Sequence, residues 1–152
     1  MTPDLMPLLR ALAARGLKLA AVESFTGGLF GATIVAHPGA SQVFVGALVA
    51  YSPQIKAKLG LDCSRGVISA AAARTLARAG RTYFEADYCI SFTGNAGPSA
   101  QDNQPVGRVF IAINEQVFAL QFNLASRQTI QTQAVTFALR QFRRLLKAEK
   151  IL

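Results

Sequence analysis

Val22-Glu23-Ser24-Phe25-Thr26-Gly27-Gly28 closes one apolar run and opens another. Lys18 to Val22 reads as a buried strand. Leu29, Phe30, Thr33 and Ile34 then recur at helical spacing, so Ser24 stands on a strand–turn–helix junction. Such a turn lifts a hydroxyl out of a sheet. It aims the free N–H groups around Thr26, Gly27 and Gly28 into the same space, where they suit an oxyanion or a phosphate. A hydroxyl beside anion-binding amides is what nucleophilic acyl chemistry needs. The same residues also serve as a plain N-cap and turn, so the reading depends on what else the chain supplies.

A serine nucleophile needs a base. The chain has one histidine, His37, and it lies in a Pro-Gly loop, which gives a Ser-His-Asp arrangement little support. Lysine is the known substitute, and Lys56 is the best placed. It lies about one turn into a short helix that begins at Pro53, directly after an apolar strand. The positive helix end and burial both disfavour its ammonium form. Tyr51 ends the strand before it, and its phenol could relay a proton or hold Lys56 in place. Thr93-Gly94-Asn95-Ala96-Gly97-Pro98 follows a third apolar strand. Loops at the carboxyl ends of parallel strands gather into one crevice, so Ser24, Tyr51 and Thr93 converge if those strands are parallel. No metal site is expected: histidines are too few, and the eight acidic residues are scattered.

The elements that must position these groups read as alternating helices and strands. Thr2 and Pro3 mark the start of a first helix with Leu5, Leu8, Leu9 and Leu12 as its stripe and Gly16 as its end. A strand at 18–23 and the helix after Gly28 follow, then a loop at 37–41. Val43 to Tyr51 reads as a buried strand. Ser52 caps the short helix that ends near Gly60, and Ser69 opens a helix to about Phe84. Tyr88 to Thr93 is a strand. Arg108–Ile113 and Val117–Phe122 form a hairpin turned at Asn114-Glu115. A helix from about Ser126 to Lys150 closes the chain. This order predicts an α/β fold, three-layer α/β/α with a mixed, largely parallel sheet, in a single domain over 1–152.

Composition sets the outer bounds. Half of the 152 residues are hydrophobic (51%) and 16% are charged, as in a globular, core-rich chain. The N-terminus has no signal-peptide pattern and no apolar run reaches transmembrane length, so no membrane role and a cytoplasmic location are expected. Cys63 and Cys89 match no metal spacing and read as free thiols. The net charge is +8. Arg140, Arg143, Arg144, Lys147 and Lys150 read as the solvated end of the last helix rather than a nucleic-acid surface. Positive charge also suits an anionic small substrate. The apolar content makes a homo-oligomer, a dimer or higher, the expected state.

Taken together, these segments resemble the CinA C-terminal domain family, the nicotinamide-nucleotide amidases. The family's Ala-Glu-Ser-x-Thr-Gly-Gly falls on residues 22–28 and its Tyr-Ser-Asn-x-x-Lys on Tyr51 to Lys56. Its Gly-Val-Ser helix start falls on Gly66 to Ser69. Its Thr/Ser-Gly-x-Ala-Gly-Pro falls on Thr93 to Pro98, and its Pro-Val-Gly-x-Val on Pro105 to Val109. The resemblance implies hydrolysis of the carboxamide of nicotinamide mononucleotide to nicotinate mononucleotide and ammonia, with no cofactor. It assigns Ser24 as nucleophile, Lys56 as base and Tyr51 as assistant. Thr26, Gly27, Gly28, Thr93, Gly94, Gly97 and Arg127 are then the substrate-binding residues. The chain departs from the family at Ser99-Ala100-Gln101-Asp102-Asn103-Gln104, at Ala125-Ser126 before Arg127, and at Gln131, where the family has a second arginine. A catalytically weak nucleotide-binding or regulatory module is therefore the alternative. Which amides face phosphate and which face the oxyanion stays open.

Overall fold

A computed structural model describes residues 3–123 and 126–152. The elements are α1 (Met6–Ala14), β1 (Leu19–Glu23), α2 (Leu29–Val35), β2 (Phe44–Val49), α3 (Pro53–Lys58), α4 (Ala70–Phe84), β3 (Tyr88–Gly94), β4 (Arg108–Ile113), β5 (Gln116–Gln121) and α5 (Arg127–Ala148). The strands form one sheet in the order β2-β1-β3-β4-β5. β1 pairs parallel with both β2 and β3, while β4 is antiparallel to β3 and to β5. Four strands thus point one way and β4 the other, the mixed, largely parallel sheet expected of an α/β chain.

Side chains on successive strand residues face opposite sides of the sheet, and that alternation makes the three layers. Leu19 and Ala21 of β1, with Val109, Ile111 and Ile113 of β4, pack with α1, α2 and α5 on one face. Ala20 and Val22, with Phe110 and Ala112, pack with the Ala72, Ala73, Leu76 and Ala77 stripe of α4 on the other. β1 is central, and the chain leaves it toward β2 on one side and later returns as β3 on the other. Its carboxyl end is therefore a topological switch point, where open α/β sheets form their crevices. The register opposes Glu23 to Val49 on one flank and to Phe92 on the other. Ser24, Tyr51 and Thr93 consequently emerge at the same end of the sheet.

Several sequence expectations shift. α1 starts at Met6, not at Pro3, because the Asp4 carboxylate accepts the Met6 N–H at 3.0 Å; Thr2 lies outside the described residues. β2 is an edge strand with Val45 and Val49 exposed, not a buried one. Its unbroken apolar run is also what a central strand would show. Residues 40–42 form a short 3-10 turn within the predicted loop. The Ser52, Ser69 and Ser126 caps are all present, their hydroxyls accepting from the N–H groups of Ile55, Ala72 and Thr129. Cys63 and Cys89 are free, and burial pushes the Cys89 thiol up to about 12.

Candidate active site

Ser24 leaves β1 on the turn that precedes α2. Its N–H donates to the Phe92 carbonyl at 3.1 Å, and its carbonyl accepts from the Gly27 N–H at 3.0 Å. The turn needs Gly28, whose φ of 100° a side chain would strain. Ser24 is nearly buried, and among the described residues its hydroxyl has no hydrogen-bond partner. The first amides of α2 itself are engaged, whereas of the amides expected to be free around Thr26, Gly27 and Gly28 only that of Gly27 has a partner among the described residues. Phe30 and Gly31 donate to the two carboxylate oxygens of fully buried Glu23, at 2.9 and 3.0 Å. What stays unpaired among the described residues is the N–H of Phe25, Thr26 and Gly28 in the turn itself.

Lys56 is 2% exposed. Its Nζ donates to the main-chain carbonyl of Tyr51 at 2.7 Å, and it forms no ion pair among the described residues. Burial drives its pKa below the usual 10.5, partly opposed by the nearby Cys63 and Asp102. An ammonium held away from water without a carboxylate partner is costly, so burial shifts the balance toward the neutral amine. Ser24 and Lys56 line one cavity of about 300 Å³ with Phe25, Tyr51, Thr93, Gly94, Gln101 and Arg127. No hydrogen bond joins Ser24 to Lys56; proton-transfer contacts often tighten only when substrate binds.

The other expected residues divide between wall and frame. Tyr51, an exposed residue, holds Lys56 through its carbonyl, while its phenol accepts from Arg127 Nη2 at 3.0 Å. Arg127 also donates to the Gly97 carbonyl at 2.5 Å, tying the start of α5 to the loop after β3. Thr93 is buried and donates its hydroxyl to the Val67 carbonyl. Gly94 lines the cavity, and a Cβ there would stand 2.5 Å from Val109 Cγ1. Thr26, Gly27, Gly28 and Gly97 do not line the cavity. Thr26 Oγ1 is buried without a partner among the described residues.

Three framing residues escaped the sequence reading. Glu23 caps α2 from inside β1. Asn95, 3% exposed, donates to the carbonyls of Ser99 and Gln104 and accepts from the Gly97 N–H, so it organises the 94–105 loop. Gln131 donates to the Phe25 carbonyl at 2.7 Å across 106 residues of sequence. Only Asn95 left a local signal, an Asx-type turn residue two before a glycine. Asp102, in the departing loop, accepts the Val67 N–H at 2.9 Å and thereby supports the partner of Thr93. Among the described residues no group of His, Cys, Asp and Glu could hold a metal ion.

The sequence profile of the CinA C-terminal domain matches residues 6–146. A competence-damage inducible protein, so named, of Shouchella clausii is 38% identical over 83% of this chain. One of Bacillus pumilus is 38% identical over 91%. The chain spans about a third of the length of these relatives, 32% and 35%. Among solved structures, a CinA superfamily protein of Klebsiella pneumoniae superposes with a TM-score of 0.85 at 27% identity, covering 91% of this chain and 92% of that one. One of Escherichia coli gives 0.84 at 29% identity, covering 92% and 87%. No described helix is long and apolar enough to cross a membrane. The sequence profile over nearly the whole chain, the curated relatives and the superposed structures agree, and the chain belongs to the CinA C-terminal domain family.

Proposed function

We propose that the chain is a cytoplasmic amidase that hydrolyses the carboxamide of nicotinamide mononucleotide. The observation that carries this reading is the presence in one cavity of Ser24 and a buried lysine that has no ion-pair partner among the described residues. A fold keeps so costly a group where function uses it. Ser24 Oγ attacks the carboxamide carbon while its proton passes to Lys56 Nζ. The C–N bond breaks, and ammonia leaves with the proton from Lys56. Water then attacks the Ser24 ester and releases nicotinate mononucleotide. The unpaired Phe25 N–H, directly after the nucleophile, is the best-placed oxyanion donor, and Arg127 at the rim suits the substrate phosphate. A volume of about 300 Å³ lies at the small end of ligand sites, roughly 300–1,000 Å³.

The second reading is a nucleotide-binding module without turnover. It is favoured by the missing Ser24–Lys56 hydrogen bond and by the departing 99–104 loop. Incubation with nicotinamide mononucleotide separates the two. Equal yields of ammonia and nicotinate mononucleotide support the amidase. Saturable binding with neither product supports the module.

A further inference from the structure

We infer that Gln131 is a positioning residue for the nucleophile turn: it holds the Phe25 carbonyl on α5, so that this oxygen does not turn toward the oxyanion that the Phe25 N–H serves. The inference rests on the amidase reading for its reaction, and on the hydrogen bonds of the turn for its geometry. Backbone partners hold three carbonyls of that turn: Ser24 O accepts from Gly27 N, Thr26 O from Leu29 N and Gly28 O from Ala32 N. Among the described residues the Phe25 carbonyl has no backbone donor, and Gln131 Nε2 is its partner. A trans amide sets N–H opposite to C=O, so holding the Phe25 carbonyl on α5 aims the Thr26 N–H away from that helix. The Thr26 hydroxyl is buried with no partner among the described residues and gives the turn no second anchor there. Without Gln131 the peptide can rotate and present an oxygen where negative charge develops, which reverses the electrostatics of the site. Gln131 is half-buried and outside the cavity wall, so it acts through Phe25 and not on substrate.

The test is the second-order rate at which an alkyl fluorophosphonate labels Ser24, read by intact mass beside kcat and KM for nicotinamide mononucleotide. Labelling forms the Ser24 Oγ–P bond, expels fluoride and passes the serine proton to Lys56. It needs the same oxyanion support but not the same substrate. Gln131→Met and Gln131→Glu, which keep the length and lose the donor, are expected to label about tenfold or more slowly, with kcat reduced in step and KM unchanged. Their thermal midpoints are measured alongside, and either folded variant suffices. Labelling at the wild-type rate in a folded variant overturns the inference, as does a raised KM with labelling unchanged, which would make Gln131 a substrate contact. Wild-type labelling that falls in the variants, with no hydrolysis of the nucleotide, upholds the inference and removes the amidase reading alone. A wild-type Ser24 that resists the reagent overturns both.

Discussion

Lys56 concentrates the cost and the use of the site in one side chain. Its pKa lies below 10.5 in the folded chain because burial disfavours the charge. The folded state therefore binds fewer protons than the unfolded one between those two pKa values. Stability rises with pH across that window, and the full penalty is present below it. Replacing the amine with an apolar side chain removes the penalty, so Lys56→Met should lose amide hydrolysis yet melt at the same or a higher temperature at neutral pH. A marked drop in its melting temperature would mean that the amine stabilises the fold. As the base, Lys56 must be neutral, so the acid limb of kcat/KM should lie below 10.5. Lys56→Arg should be inactive at every accessible pH, since arginine stays protonated. At the rim, Arg127→Ala should raise KM more than it lowers kcat, because a phosphate contact acts on ground and transition states alike. An unchanged KM would place the phosphate elsewhere.

At the scale of elements, what the sequence disclosed and what it hid follow contact range. The Ser52-Pro53, Ser69 and Ser126 helix starts were legible because each cap reaches only three residues on. The edge position of β2 was not, because pairing order is set by strands far apart in sequence. Glu23 was invisible as a cap for a related reason: a carboxylate at a strand end looks solvent-bound until α2 folds back over it. Its two charge-assisted bonds make a clear case. Glu23→Gln replaces one acceptor with an amide that faces an N–H group, and should cost about 1–3 kcal/mol in urea denaturation. α4 depends on a close approach that only glycine permits. A Cβ on Gly80 would stand 2.5 Å from Cys89 Sγ and 2.6 Å from Val22 Cγ2. Gly80→Ala should therefore destabilise by about 1–3 kcal/mol through overpacking. A neutral result would mean that α4 shifts freely on the sheet.

For the whole molecule, the parallel trio β2-β1-β3 turns three distant sequence motifs into one site. Ser24, Lys56 and Thr93 were recognisable singly from a turn, a capped short helix and a glycine-rich loop. Their convergence needed only the parallel pairings that the fold supplies. What stayed hidden is the frame behind them, because Gln131 and Asp102 act through main-chain atoms of remote segments. The same frame explains how departures from the family pattern leave the Ser24 and Lys56 wall in place: Gln131 sits behind the turn, and Asp102 supports Val67. The most direct test of a Ser24–Lys56 amidase is the initial rate of ammonia release from nicotinamide mononucleotide by the wild-type chain and by Ser24→Ala. Loss of the nucleophile should lower that rate by several orders of magnitude with the melting temperature preserved. Ammonia released by the folded alanine variant at near the wild-type rate would contradict covalent catalysis by Ser24.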